Sequence, residues 1–187
     1  MRHGETDWNR ERRFQGHADP SLNDVGRAQA LELARTLAAE PFERVYSSPL
    51  RRALETAEIV SAGRGVAVEP DETLLEVDVG SWSGLTVDEV EARFPAGYRR
   101  WLETRSGWED GETHDELGRR VTTGLAALGE RHPAGHLLAV THGGPIRCIA
   151  AALRGLPFEA GRAEVGYVAN CEIVRIAVRE GKIEAVD

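Results

Sequence analysis

The stretch 137–141, Leu-Leu-Ala-Val-Thr, followed by His142-Gly143-Gly144-Pro145, constrains the fold more than any other part of the chain. The mostly apolar run has the length of a buried strand, and Pro145 suits the first turn of a helix. A strand that leads through glycines into a helix is typical of α/β proteins, which bind ligands at the carboxyl ends of parallel strands. The junction therefore predicts an α/β domain, with His142 at the ligand-binding end of a strand and at a helix N-terminus where anions bind.

The rest of the chain shows the helix and strand patterns that such a domain requires. Its length of 187 residues predicts a single domain over 1–187. Within it, the Trp- and Arg-rich stretch 80–112 is expected to form a lid or pocket wall, although at least one of its tryptophans could instead pack in the core. Helices are predicted from 24 to about 40 and at 49–61, 87–93, 114–131 and 145–153, strands at 45–47 and 66–68, and an antiparallel hairpin at 169–178 and 183–186.

Composition excludes several classes of function. The chain carries 23 basic and 31 acidic side chains, and its net charge of −8 argues against nucleic acid as the main partner. Its apolar runs are too short to span a membrane and its N-terminus has no signal-peptide pattern, so we expect a cytoplasmic protein that does not contact membranes. Cys148 and Cys171 lack metal-ligand spacing and are expected to be free thiols.

Residues 1–16 are unsuited to a hydrophobic core and suited to binding an anion. They include four arginines and few apolar side chains, so burying them without negative partners would be costly. Guanidinium groups bind phosphate through paired N–H donors, and Gly4 and Gly16 would let backbone amides approach it. His3 could then attack phosphorus as a neutral imidazole. A His-Gly pair on its own more often forms a hydrogen-bonded turn, so this role depends on the motifs that follow.

Two further stretches carry charged groups suited to phosphate chemistry. Arg51 and Arg52 follow the Ser-Pro pair at 48–49, which is predicted to cap and begin a helix. Cations in the first turn of a helix are unfavourable unless an anion compensates them, which indicates a phosphate nearby. Glu76 stands between an apolar pair and a glycine-rich loop, where a carboxyl group can hold its proton at neutral pH; Asp78 is the fallback acid.

Four motifs taken together resemble those of the histidine phosphatase superfamily, also called the phosphoglycerate mutase-like family, and in particular its phosphatase branch. The motifs are Arg2-His3-Gly4-Glu5-Thr6 with Trp8-Asn9, Ser48-Pro49-Leu50-Arg51-Arg52-Ala53, Leu74-Leu75-Glu76 followed by Gly80-Ser81-Trp82-Ser83-Gly84, and His142-Gly143. They follow the family's order over about positions 2 to 150. The resemblance implies an α/β fold, a three-layer α/β/α sandwich with a mostly parallel central sheet and an antiparallel edge strand.

The resemblance also implies a role for each site residue. His3 would be the nucleophile that forms a phosphohistidine, and Glu76 would protonate the leaving oxygen and then activate water. Arg2, Arg52 and His142 would neutralise the phosphoryl oxygens, Arg52 being the arginine that precedes the alanine of the second motif. The implied secondary phosphate contacts are Asn9, Gln15, Gly16 and Gly143. No metal and no cofactor are expected, because the arginines supply the positive charge.

The start of the chain departs from the family pattern. The family has an apolar strand immediately before its first motif, whereas only Met1 and Arg2 precede His3 here. If that strand is missing from the folded protein, we expect both the sheet and the activity to suffer.

The implied function is metal-independent hydrolysis of a small phosphorylated metabolite by an enzyme of the histidine acid phosphatase type, and three alternatives stay open. A cofactor-dependent phosphoglycerate mutase is the nearest, but mutases of this family generally carry longer insertions than the stretch between Gly84 and Gly111. A metal hydrolase would need ligand spacing that the six histidines lack. A catalytically silent relative that binds phosphorylated ligands would be expected to have lost His3 or Glu76. Assembly as a homodimer also stays open.

Overall fold

Helices and strands alternate along the chain in the computed structural model, which describes residues 1–104, 106–160 and 166–186. The helices are α1 Asp7–Arg10, α2 Asp24–Thr36, α3 Arg51–Ser61, α4 Val87–Arg93, α5 Pro95–Thr104, α6 His114–Arg131 and α7 Gly143–Leu153. The strands are β1 Arg44–Ser47, β2 Val68–Pro70, β3 Leu137–Val140, β4 Ile176–Arg179 and β5 Lys182–Ala185. This alternation confirms the predicted fold class.

The central sheet is parallel, with the strand order β2-β1-β3 among the described residues. Val45 of β1 lies opposite Val68 of β2 on one side and Leu138 of β3 on the other. The side chains of successive residues in β1 point to opposite faces of the sheet, as the pleat of a strand requires. Val45 joins the core cluster that α2 and α3 complete, whereas Tyr46 joins the cluster that α6 and α7 complete. The result is the predicted three-layer arrangement of helices, sheet and helices.

The predicted antiparallel hairpin is present and forms a two-stranded sheet of its own. β4 and β5 pair from Ile176 opposite Ala185 to Arg179 opposite Lys182. Glu180 and Gly181 make the turn with φ of 50° and 70°, the left-handed conformation that a tight two-residue hairpin turn requires. Within the described part of the chain, the hairpin packs on α6 rather than pairing with the central sheet.

Several predicted boundaries are wrong by a few residues. α3 begins at Arg51 rather than at position 49, because Leu50 is its N-cap and the Ser48 hydroxyl accepts the Leu50 N–H outside the helix. The strand predicted at 66–68 lies at Val68–Pro70, where pairing with β1 fixes it. α2 ends at Thr36, short of the expected position near 40.

The first residues of the chain extend the ladder beside β3. Arg2 pairs with Thr141 in a parallel bridge, and the His3 N–H donates to the Thr141 carbonyl at 3.0 Å. The Met1 amino nitrogen donates to the Ala139 carbonyl at 2.7 Å. A cavity of about 630 Å³ lies next to this short ladder, with Met1 and Leu138 in its wall. The pairing of Arg2 and His3 with Thr141 brings His3 to the carboxyl end of the sheet.

The stretch 80–112 is largely structural. It folds into α4 and α5, and Trp82 and Trp101 are buried in the core cluster with exposed fractions of 1% and 8%. Residues 101–104 at the end of α5 also form one wall of the cleft described below. Movement of this stretch as a lid stays a prediction. No helix in the described ranges is both long and apolar enough to cross a membrane.

Candidate active site

His3 lies at the end of the ladder beside β3, in the wall of a cavity of about 170 Å³. Its side chain is buried, and its Nδ1 lies 2.7 Å from the Gly4 carbonyl oxygen. A carbonyl can only accept, so Nδ1 carries the ring hydrogen and Nε2 carries the lone pair. The local backbone therefore fixes the tautomer in which Nε2 is the nucleophilic nitrogen.

The environment of His3 keeps its imidazole neutral. Burial, followed by the charges of Arg52 and Arg2, lowers the pKa of His3 well below its ordinary value. A neutral imidazole keeps its lone pair at neutral pH without a neighbouring base to remove a proton. The site thus combines an uncharged nucleophile with two guanidiniums, a combination suited to an anionic substrate.

Nitrogen-15 NMR of the imidazoles should detect this neutral state. A free imidazole is half protonated at about pH 6.5. Because the folded environment disfavours the His3 cation, we expect His3 to stay in the Nδ1–H form at that pH and to gain its proton only in more acidic solution. A His3 signal that is half protonated near pH 6.5 would contradict this description of the site.

Arg52 is fully buried at the start of α3, and each of its nitrogens donates to a protein group. Nε donates to His142 Nδ1 at 3.2 Å, Nη1 to the Ala18 carbonyl at 2.7 Å, and Nη2 to the Gly16 carbonyl at 2.9 Å. Burial lowers the pKa of Arg52 to about 10, even though Glu76 and Asp19 act in the opposite direction. The guanidinium is therefore held rigidly as a cation with too little negative charge around it, at the wall of the cavity that His3 also lines.

Arg51 is placed differently from its neighbour. Its side chain is 63% exposed and lies 3.8 Å from a carboxylate oxygen of Asp19, outside the cavities that Arg52 and Arg2 line. Of the two adjacent arginines, Arg52 is the one that the helix directs into the site.

Arg2 supplies the second guanidinium. It is 8% exposed, donates through Nη1 to the Val168 carbonyl, and lies 5.3 Å from the ring centroid of Tyr167. Its buried Nε has no hydrogen-bond partner in the described part of the protein. A buried donor left unpaired is costly, and an anion in the adjoining cavity would satisfy it.

His142 is the N-cap of α7 and is fully buried behind His3, with ring centroids 5.1 Å apart. Because Arg52 Nε donates to His142 Nδ1, His142 Nε2 carries the ring hydrogen and donates to Ser48 Oγ at 2.8 Å. Burial and the nearby Arg52 lower the pKa of His142 well below its ordinary value. In this structure His142 orients Arg52, and its direct contact with a phosphoryl group stays a prediction.

Glu76 lies at the N-terminus of α7 and lines both the small cavity and the larger one that adjoins it. Its Oε1 accepts the N–H groups of Gly144 at 3.1 Å and Val77 at 3.0 Å. A Cβ atom at Gly144 would lie 2.3 Å from this oxygen, so only glycine allows the contact. Asp78 lines neither cavity and accepts the Gly80 N–H instead, so the geometry favours Glu76 over the fallback acid.

The secondary residues divide between the two cavities. Gln15 and Gly16 line the small cavity, Gly143 lines the larger one, whose volume is about 1250 Å³, and Asn9 lines both. The Gly4 amide is not available to a ligand, because it donates to the Thr56 hydroxyl at 3.0 Å. The expectation that this amide approaches an anion is therefore wrong.

Sequence reasoning missed two arginines of the site. Arg120 of α6 donates to the carbonyls of Leu75 and Glu76 and pairs with both carboxylate oxygens of Glu112, so it fixes the loop that carries Glu76. Arg147 of α7 lines both cavities. Arg147 lies five residues after His142, so it shares the feature that marked Arg51 and Arg52, a cation near the start of a helix.

The described residues hold no cluster of three or more His, Cys, Asp or Glu side chains arranged to bind a metal ion. The site consists instead of imidazoles, guanidiniums and one carboxylate around a small cavity that opens through shared walls into a larger cleft. Such a set of groups can hold a phosphate ester, attack its phosphorus and protonate its leaving oxygen.

Comparison with known proteins identifies the family to which the chain belongs. Residues 1–187 match the family model described as the histidine phosphatase superfamily, branch 1, and the chain belongs to this superfamily. Phosphoglycerate mutase-like protein 4 of Arabidopsis thaliana is 42% identical over 154 residues, which cover 80% of this chain and 67% of the relative. Phosphoserine phosphatase 1 of Hydrogenobacter thermophilus is 35% identical over 158 residues, which cover 83% of this chain and 75% of the relative.

Solved structures agree with this assignment. YhfR of Bacillus stearothermophilus superposes with a TM-score of 0.92 at 33% identity, covering 99% of this chain and 92% of that chain. A mycobacterial glucosyl-3-phosphoglycerate phosphatase in complex with VO3 superposes with a TM-score of 0.86 at 30% identity, covering 98% of this chain and 92% of that chain. The family and the fold predicted from the sequence motifs are therefore confirmed.

Proposed function

We propose that this protein is a phosphomonoesterase that hydrolyses a small phosphorylated metabolite through a phosphohistidine on His3 Nε2, without a metal or cofactor. The observation that carries the proposal is the buried, neutral His3, which shares a cavity of about 170 Å³ with Arg2, Arg52 and Glu76. The names of similar proteins, among them a phosphoserine phosphatase and a glucosyl-3-phosphoglycerate phosphatase, support the same reaction class.

The reaction has two balanced steps. His3 Nε2 forms a bond to phosphorus while the ester P–O bond breaks, and Glu76 gives its proton to the leaving oxygen as the two arginines neutralise the phosphoryl oxygens. Water then attacks the phosphohistidine, Glu76 takes the proton of the water, and the P–N bond returns its electrons to Nε2. The second step regenerates the free imidazole and the carboxylic acid.

Phosphoglycerate mutase activity is the alternative that the names of other similar proteins suggest. Relatives named probable phosphoglycerate mutase, from Salmonella among others, are 34% identical to this chain. Hydrolysis is favoured by the geometry, because Arg2, Asn9 and Glu76 belong to both the small cavity and the cleft of about 1250 Å³, which leaves a path for water to the phosphohistidine. A cytoplasmic location and a homodimer stay predictions.

Two assays test the proposal. Phosphate release from a panel of phosphomonoesters is measured with and without a metal chelator, and interconversion of phosphoglycerates is measured with 2,3-bisphosphoglycerate present. We expect phosphate release that the chelator leaves unchanged. Exclusive mutase turnover would contradict hydrolysis, loss of activity in chelator would support a metal hydrolase, and binding of phosphate esters without turnover would support a silent relative.

Replacing Glu76 by glutamine should separate its role as acid from a structural one. Glutamine cannot give a proton to the leaving oxygen, so we expect kcat/KM on an alkyl phosphate, which reports formation of the phosphohistidine and not its hydrolysis, to fall by about 100-fold or more. The loss of kcat/KM on p-nitrophenyl phosphate should be much smaller, because nitrophenolate leaves without a proton. Asp78→Asn serves as the matched control and should change neither value much. Equal losses of Glu76→Gln on both substrates would contradict the assignment of Glu76 as the acid.

A further inference from the structure

Arg147 is a cation in the site that the proposed reaction does not use. It lines both the small cavity with His3 and the larger cleft. Among residues 1–104, 106–160 and 166–186, no carboxylate lies within ion-pair distance of its guanidinium, and no hydrogen bond satisfies it. Arg13, which also lines both cavities, differs because it pairs with Glu11 at 2.6 Å and Glu89 at 3.2 Å.

The backbone places Arg147 where the two cavities meet. It follows Gly143 by four residues on α7, and its side chain turns back toward the start of the helix, as the geometry of helical side chains favours. A Cβ atom at Gly143 would lie 3.3 Å from Arg147 Nη1, so the guanidinium lies against the first turn. Gly144 in the same turn donates to Glu76, which places Arg147 on the side of the site where the ester oxygen would leave.

We propose that Arg147 binds a second anionic group of the substrate, a carboxylate or a second phosphate that lies a few bonds from the ester oxygen. This inference rests on the proposed function, because it places the phosphoryl group against His3, Arg2 and Arg52. The substrate class is therefore a phosphate monoester whose alcohol portion is itself an anion.

The charges around Arg147 support this assignment. Burial lowers the pKa of Arg147, and the more distant charge of Glu76 opposes this only in part. When Glu76 acts as the proton donor it is uncharged, so this partial compensation is then lost. A planar guanidinium matches a carboxylate or a phosphate through two parallel N–H donors, whereas a neutral alcohol would leave it uncompensated.

Matched substrates that differ in one anionic group test the inference. We compare 3-phosphoglycerate with glycerol 3-phosphate, and phosphoserine with phosphoethanolamine, because each pair differs by a single carboxylate. A third pair, propane-1,3-diyl bisphosphate and propyl phosphate, probes a second phosphate in the same way. In the unaltered protein we expect kcat/KM to favour the anionic member of at least one pair by about 30-fold, mainly through KM. Whichever anion gives the larger preference identifies the group bound.

Replacing Arg147 should remove this preference selectively. Arg147→Met keeps most of the side-chain volume, and we expect it to reduce the preference to about threefold or less. For the member of each pair that lacks the second anionic group, kcat/KM should change less than about threefold. Arg147→Lys keeps the charge without the planar fork, so its preference for the anionic substrate should lie between those of the unaltered protein and of Arg147→Met. Arg119→Met removes an exposed cation of α6 that lines neither cavity, so it controls for the change in net charge. Thermal unfolding of each variant checks that it is folded.

The outcomes separate this inference from the proposed function. If both members of each pair lose activity equally in Arg147→Met, or if the unaltered protein shows no preference for an anionic member, the inference is overturned while phosphatase activity stands. If no ester is hydrolysed at all, isothermal calorimetry with the same pairs replaces the kinetic readout. A binding preference that Arg147→Met abolishes would then support the subsite without the reaction, and equal binding of both members would overturn it.

Discussion

Replacement of His3 by alanine is expected to lower kcat/KM for phosphate ester hydrolysis by at least about 1,000-fold, because the variant has no atom that can accept the phosphoryl group. The loss should appear in kcat as well as in kcat/KM, since the missing bond forms in the transition state. We expect the variant to fold, because the hydrogen bond that His3 Nδ1 makes is to the adjacent Gly4 carbonyl. Kinetics with a saturating phosphate ester, together with thermal unfolding, measure both effects.

His136→Ala provides the matched control for this experiment. His136 lies just before β3 and outside the two cavities of the site, so its removal should leave kcat/KM within about threefold of the unaltered protein. Substantial activity in His3→Ala would mean that another group attacks phosphorus, and the proposed phosphohistidine would be wrong.

Replacement of Arg52 by methionine is expected to abolish most activity while changing stability little. Loss of a fixed cation that stabilises the phosphoryl oxygens should lower kcat/KM by about 100- to 1,000-fold. The variant leaves the carbonyls of Gly16 and Ala18 and Nδ1 of His142 without a donor, which costs about 3 kcal/mol or more. Against this, the lowering of the Arg52 pKa from 12.5 to about 10 corresponds to relief of about 3 kcal/mol when the charge is removed. The two effects oppose each other, so we expect the free energy of unfolding to change by less than about 2 kcal/mol.

Arg51→Met is the control for Arg52, since it removes the neighbouring cation from the same turn of α3. Its exposed side chain should make kcat/KM and stability change little. Added orthovanadate or inorganic phosphate should raise the unfolding temperature of the unaltered protein and of Arg51→Met, but much less that of Arg52→Met. An Arg52→Met protein that keeps its activity, or that is still stabilised by the anion, would contradict the role of Arg52 in binding it.

Much of the fold and the central residues could be predicted because they depend on local patterns. The apolar run 137–140 predicted β3 and the periodic apolar residues of α6 predicted its buried face, whereas α7 begins at Gly143, two residues before the predicted position 145. The family motifs identified His3 and Arg52, and the structure brings these side chains together with Arg2 and Glu76. These signals were sufficient because each lies within a few residues of the position that it determines.

The features that could not be predicted from the sequence depend on long-range contacts. Arg120 reaches the Glu76 loop from α6, 44 positions further along the chain, and no local pattern marks that contact. The position of β2 depends on its pairing with β1 rather than on the apolar residues before it. The hydrogen bond between the Gly4 amide and the Thr56 hydroxyl spans 52 positions, and it removes a donor that the glycine suggested. Burial of His142 behind His3 is likewise visible only when the sheet and α3 are assembled.

The most direct test of the central claim is to trap the phosphorylated protein. The protein is mixed with a phosphate ester and quenched within one turnover in alkali, which preserves phosphohistidine, and the site and ring nitrogen are then identified by mass spectrometry and phosphorus-31 NMR. We predict phosphate on Nε2 of His3, because Nδ1 holds the hydrogen that it donates to the Gly4 carbonyl. Phosphate on His142, on Nδ1 of His3, or on no histidine at all while ester is being hydrolysed would contradict the proposed mechanism.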